Sequence, residues 1–374
     1  MSLNEIRELV VAAREARTPL RVSGRSTWIG AGRPVKAERI ATVAAHTGVV
    51  DYIPGDLTIT VKAGTSLREI SELTAKHGQH FPLDPHGSSE GTIGATIATG
   101  SSGPMSHGFG AVRDLILGVE FVSGHGDVVR GGGRVVKNVA GFDLVRLMTG
   151  SWGTLGIVTE ATLRLYSLPA KRTAVAISIP DNRQVGARVA AVLDAPVLPY
   201  AVELLDAAMA RHCGLDARTT ILVDLGGNRA AVDSQRDSLM LGGTEDVSQN
   251  VWQSLRTADG ESTAVVRISA LPGRIAELWG NTARVLGKID GAMAHARAGL
   301  GMVRCIIPQA HATEDLLQRL SQATSGSTVI YERLPAAIWD RISPSIVGDR
   351  LSQRVKHAFD PLNILNPGIM GSVS

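Results

Sequence analysis

Cysteine is nearly missing from this chain: Cys213 and Cys305 are its only two and lie far apart in sequence. That excludes a CxxC zinc or redox motif and a ligand set for an iron–sulfur cluster, and leaves two ordinary reduced thiols as the expectation. Aromatic residues are scarce at 4%, and no run of lysine and arginine is interleaved with them. With 38 basic against 35 acidic residues, a formal charge of +3 describes a scattered, solvated surface, so no nucleic-acid partner is expected. No apolar run of about 18 residues occurs, which excludes a membrane-spanning helix by the usual length rule. The opening Met1-Ser2-Leu3-Asn4-Glu5 is polar where a signal peptide is apolar. These absences together predict a cytoplasmic protein, with attachment to the inner face of a membrane only through partners. Also missing are a GxGxxG opening a helix after a strand, GxxxxGK[ST], GxSxG and HExxH, which removes the usual dinucleotide, P-loop and hydrolase signatures.

What is present is length and glycine. A chain of 374 residues favours two packed units. Its 41 glycines are concentrated between Gly87 and Gly156, where tight turns or the close approach of backbone to a ligand call for them. Ser2 and Glu5 have capping-box spacing, and Ile6, Leu9, Val10 and Ala13 then share one helical face. Leu20 to Val22 reads as a strand that runs into Ser23-Gly24-Arg25-Ser26-Thr27. Leu57 to Ala63 alternates apolar and polar residues as a half-buried strand does, and Ser66 with Glu69 repeats the capping box. From Phe81 to Gly110 the pattern is loop, with one short helix from Thr92 to Thr99. Strands are expected at Ile116–Val122 and from Ile157 to about Tyr166. Past Pro169 the glycine loops disappear and strand-like runs alternate with amphipathic helices, the mark of an α+β unit. The final Asp360 to Gly368 carries too much turn chemistry to continue a helix.

Three glycine-and-hydroxyl loops carry the chemistry. Successive main-chain N–H groups in turns form concave nests for phosphate oxygens, and Ser or Thr hydroxyls add donors without bulk. The loops are Ser23 to Thr27; Pro82-Leu83-Asp84-Pro85 followed by Gly91-Thr92-Ile93-Gly94-Ala95; and Gly150-Ser151-Trp152-Gly153-Thr154-Leu155-Gly156-Ile157-Val158. Together they resemble the FAD-binding domain of the vanillyl-alcohol-oxidase and p-cresol-methylhydroxylase superfamily, strongly over residues 18–170 and again at Ile364 to Gly368. The segment Ala140-Gly141-Phe142-Asp143-Leu144 is similar to the hydroxy-acid branch of that superfamily.

The resemblance implies an α+β architecture: a p-cresol-methylhydroxylase-type FAD domain of two α+β subdomains over residues 1–170, an α+β cap with an antiparallel sheet over 171–355, and a tail, 356–374, returning towards the FAD domain. It also implies cofactor contacts at Ser23, Gly24, Arg25, Ser26 and Thr27, at Asp84 and Pro85, at Thr92, Ile93, Gly94, Gly100 and Gly103, and at Gly156, Ile157 and Val158. Members that bind flavin covalently often carry a histidine in the first loop; none stands between Leu20 and Gly32, so non-covalent FAD is expected. His86 and His107 lie in the flavin-side loops, and no catalytic residue is assigned.

Hydroxy-acid dehydrogenases of this branch carry a metal-binding His-x-Gly-Asp-Gly-Asn-x-His segment. Here the comparable stretch is His295-Ala296-Arg297-Ala298-Gly299-Leu300-Gly301-Met302, in which the second histidine is a methionine. A thioether is a poor ligand for a hard divalent ion, so no metal is expected and His295 reads as a satisfied strand histidine. The chain thereby resembles the E-type subunits of glycolate oxidase. That family pairs two flavin subunits with an iron–sulfur subunit and oxidises glycolate to glyoxylate. Partners implied are a catalytic flavoprotein subunit, an iron–sulfur subunit and a small hydroxy acid. Two further readings stay open: a self-sufficient FAD dehydrogenase using arginines such as Arg267 or Arg304 to hold a carboxylate, and a flavin-binding interaction subunit without turnover.

Overall fold

A computed structural model describes residues 1–37, 39–133, 142–240, 242–342 and 348–371. Two compact units emerge. The first comprises Met1–Ser102, Gly110–Leu168 and the described part of Pro344–Ser374; the second comprises Gly103–Phe109 and the described part of Pro169–Ser343.

In the first unit the capping box at Ser2 and Glu5 opens helix Leu3–Glu15. Its apolar face of Ile6, Val10 and Ala13 is buried against Leu20, Val43, Val122, Ile157 and Leu365. Strands Val49–Ile53, Thr58–Lys62, Gly156–Arg164, Ile116–Ser123 and Val128–Gly132 lie side by side in that order as a five-stranded antiparallel sheet. The second of them starts one residue later than its alternation suggests, because Leu57 takes a left-handed conformation (φ 53°) and closes the turn Pro54–Asp56. Ser66 and Glu69 form the second capping box, opening helix Leu67–Ala75.

A smaller sheet pairs Leu20–Ser23 with Arg39–Thr42 in parallel. On its other side Leu20 bridges Leu365, donating to the Ile364 carbonyl at 2.7 Å while its own carbonyl accepts from Asn366 N at 3.0 Å. The C-terminal residues are thus built into the same layer as the first strand. Ahead of them lies helix Arg350–Phe359, which was not among the expected elements. Of the residues proposed to mark the hydroxy-acid branch, Ala140 and Gly141 lie outside the described residues; Asp143 caps helix Leu144–Met148.

The second unit is built on an eight-stranded sheet in which every neighbour is antiparallel. Along its strand Lys171–Ile179, Val175, Ile177 and Ile179 join one apolar cluster and Ala174 and Ala176 join another. This period of two, with helices packed on both faces, makes its strands read as continuous apolar runs. Helices Val185–Leu193, Ile275–Leu286 and Glu314–Ala323 contribute to the first cluster, and Ala207–His212 and Asn250–Arg256 to the second.

Candidate functional site

A cleft in the first unit is lined by Arg21 through Ile29, by Gly94, Ala95, Ala98 and Thr99, by Trp152 and Gly153, by Gly156 to Val158, and by Asn366 and Ile369. Its construction begins at Gly24. A Cβ there would sit 2.3 Å from Thr92 Oγ1, so only glycine lets the first loop reach the start of helix Ile93–Thr99. Gly94 is equally constrained: its Cβ would meet that of Ala63 at 2.7 Å. The third loop grips the other end of the helix, with Gly150 N donating to Ile97 O at 3.0 Å and Trp152 N to Ala98 O at 2.7 Å. Trp152 and Gly153 both have positive φ, 54° and 68°, and turn the chain back towards strand Gly156–Arg164.

Asn366 ties the walls together. Its Oδ1 accepts from Val22 N and its Nδ2 donates to Trp152 O, each at 2.7 Å. Lys356 holds the same segment from behind. Its buried ammonium donates to Thr154 O at 2.7 Å, Leu365 O at 3.2 Å and the Asp360 carboxylate at 2.6 Å. Burial pulls the Lys356 pKa down and the Asp360 carboxylate opposes that shift.

The donors left over define what the cleft can hold. The main-chain N–H groups of Arg25, Ser26 and Thr27 meet no acceptor among the described residues. The buried atoms Ser23 Oγ, Arg21 Nη1 and Trp28 Nε1 likewise lack a hydrogen-bond partner there. Arg21 spends its Nη2 on the Ile29 and Ala31 carbonyls at 2.9 and 3.5 Å, and burial lowers its pKa. A half-buried guanidinium without a counter-charge is unfavourable, and an anion beside it relieves that cost. Hence the cleft suits an anionic group such as a pyrophosphate joined to planar rings, and the residues present fit FAD.

The residues singled out from the sequence divide in their placement. Ser23, Gly24, Arg25, Ser26, Thr27, Gly94, Gly156, Ile157 and Val158 line the cleft. Thr92 and Ile93 lie beneath its wall with no exposure, and Asp84 and Pro85 are buried away from it. Gly100 ends the helix in a left-handed cap, and Gly103 falls in the second unit. Arg25 is turned aside: it donates to Glu90 at 2.9 Å and to both Glu69 oxygens at 3.1 Å. Burial pushes the Glu69 pKa up, but hydrogen bonds from Ser66 and Arg25 outweigh it and hold the carboxyl below its ordinary value. The first turn of helix Ile93–Thr99 is also spent, since Ile93 N, Gly94 N and Ala95 N donate to Thr65 O, Ala63 O and Thr92 Oγ1. Arg21, Trp28, Trp152 and Asn366 were not among the expected contacts. Trp152 and Asn366 sit inside motifs that the sequence did mark, whereas Arg21 carries no signal beyond its place one turn of chain before a glycine loop.

In the second unit His295 Nδ1 lies 2.8 Å from Glu203 Oε2, both side chains being buried. Arg297 donates to Ser106 Oγ at 2.9 Å, with its Nε 3.9 Å from Glu203 Oε1. His107 packs against Gly299, whose Cβ would be 2.6 Å from the ring; burial lowers its pKa against the pull of Glu203. Arg267 and Arg304, which the sequence left open as carboxylate ligands, already hold carboxylates of the chain. Arg267 pairs with Glu332 at 2.9 Å, and Arg304 with Asp259 at 2.7 Å and with Glu332. Among the described residues no three His, Cys, Asp or Glu side chains are grouped as a metal site would need, and no helix is long and apolar enough to cross a membrane.

The FAD binding domain family matches residues 1–132, and the C-terminal domain of FAD linked oxidases matches residues 346–370. The chain is 30% identical over 369 residues to glycolate oxidase subunit GlcE of Escherichia coli (strain K12), covering 97% of this chain and 95% of that protein. It is 26% identical over 412 residues to glycolate oxidase subunit GlcD of Bacillus subtilis (strain 168), covering 98% and 87%. Among solved structures, p-cresol methylhydroxylase with substrate bound is similar with a TM-score of 0.76 at 17% identity, over 99% of this chain and 87% of that one. Alkyldihydroxyacetonephosphate synthase follows the same fold with a TM-score of 0.71 at 17% identity, over 97% and 75%.

Proposed function

This chain belongs to the family of FAD-linked oxidases that includes the glycolate oxidase subunits, and from that premise we propose that it is the E-type FAD-binding subunit of a glycolate oxidase complex. The complex oxidises glycolate or a related 2-hydroxy acid to the 2-oxo acid and passes the electrons to an iron–sulfur subunit. FAD, when bound, supplies the two-electron acceptor that can release electrons singly to such a partner. The supporting observation is the cleft itself: unpartnered donors from Arg21, Ser23 and the Arg25 to Thr27 backbone converge on one wall. These groups bind the pyrophosphate; Gly24 and Gly94 keep the loop and helix close enough to do so; Asn366 ties the Val22 strand to the Trp152 loop.

In the second unit the pairing of His295 with Glu203, and Met302 in place of a second histidine, favour a subunit that relies on its partners for the hydroxy-acid chemistry. Anaerobic addition of glycolate, and separately of D-lactate, to the purified chain carrying FAD tests this. The visible flavin band is expected to persist with the chain alone and to bleach once the partner subunits are added. Prompt bleaching of the isolated chain would establish a self-sufficient dehydrogenase instead, and failure to retain flavin would overturn the assignment.

A further inference from the structure

The indoles of Trp28 and Trp152 stand on the wall of the cleft with ring centroids 6.0 Å apart and planes inclined by 24°. That separation is a direct offset stack, so a third ring cannot enter between them and can only extend the stack from outside. Trp152 is fixed from one side by Gly32, whose Cβ would lie 3.1 Å from its Cζ3, and by its backbone bonds to Ala98 and Asn366. Trp28 follows the donor loop directly, and its Nε1 is buried without a partner. Burying an indole N–H without an acceptor is unfavourable, and such groups usually find one. Two aromatic faces, an unanswered N–H and an adjacent anion nest together describe a receptor for a planar heteroaromatic ring attached to a pyrophosphate.

We propose that the Trp28–Trp152 pair recognises one heteroaromatic end of the dinucleotide by stacking, with Trp28 Nε1 donating to a ring acceptor. The proposal rests on the FAD reading and sharpens it. Adenine and isoalloxazine share the chemistry described, and the two halves of the cofactor separate them.

The test is calorimetric titration of the full chain, freed of cofactor, with FAD, ADP and FMN in turn, for the parent, Trp28→Ala, Trp152→Ala and Trp28→Phe. Base-to-aromatic stacking of about 1–3 kcal/mol predicts that both alanine variants bind FAD roughly tenfold or more weakly. The same loss is expected with ADP if adenine is the ring held, or with FMN if isoalloxazine is, and the other half-ligand is unaffected. Trp28→Phe keeps the face and loses the donor, so a fall of about fivefold is expected. FAD affinity within twofold of the parent in both alanine variants would overturn the pair's role while leaving the FAD assignment standing. A parent that binds no FAD would remove both. Should the alanine variants fail to fold, tryptophan emission decides: the change on adding ADP or FMN must be smaller in Trp28→Phe than in the parent, and equal changes overturn the proposal.

Discussion

Gly24 is the most demanding single position. Alanine there would place a methyl carbon 2.3 Å from Thr92 Oγ1, which is itself immobilised as the cap of helix Ile93–Thr99. Gly24→Ala is expected to weaken FAD binding by at least tenfold, measured by retention of the visible flavin band through gel filtration. Arg21 should act electrostatically. Arg21→Gln is expected to lower FAD affinity and to flatten its dependence on salt, because the guanidinium that meets the anion is gone. Asp206 offers a pH signature. Its carboxylate accepts from Met209 N and Ala294 N, yet burial pushes its pKa up to about 6. The folded state therefore keeps this proton where the unfolded state has lost it. The stability so gained is full below about pH 4, declines as pH rises to about 6 and is absent above, on the order of 3 kcal/mol in all. Urea unfolding at pH 5 and pH 7 should show this decline in the parent and not in Asp206→Asn. Cys213, pushed up to about 12 by burial, should react slowly with thiol reagents at pH 8.

Among the elements, those with local signals were legible. Both capping boxes, at Ser2 with Glu5 and at Ser66 with Glu69, mark helices that the structure contains, since the reciprocal bonds need only residues three apart. Helix Arg350–Phe359 was not read, although Leu351, Val355, Ala358 and Phe359 recur at helical spacing. What that spacing does not tell is that the buried side chain is Lys356, while Leu351 is largely exposed, and that Asp360, four residues on, holds its ammonium. Asp360→Ala would strand that ammonium and free the Ile364 and Leu365 N–H groups. A loss of about 3–5 kcal/mol is expected, read from denaturant unfolding. The three loops of the cleft were legible as glycine-rich segments. That Arg25 is spent on Glu69 and Glu90, and that Arg21 is left without a counter-charge, depends on which side chains fold over them, and no local pattern carries that.

For the molecule as a whole, two units with separate cores need not melt together. The groups proposed to hold FAD all belong to the first unit, so scanning calorimetry is expected to show its addition raising the transition of that unit. At free FAD a hundredfold above its dissociation constant the gain is about 2.7 kcal/mol. The sequence changes texture at Pro169, from glycine loops to alternating strand and helix runs, and the second unit resumes at that residue. That Gly103–Phe109 also belongs to the second unit has no such local signal, because Arg297 and Tyr200, which hold it, are remote in sequence.

The first strand of the cleft is completed by Leu365 and Asn366, more than three hundred residues downstream. During synthesis, Leu20 to Ser23 thus wait for a segment made far later before their wall exists. A chain cut short before Asp360 is expected to lose its hold on the cofactor.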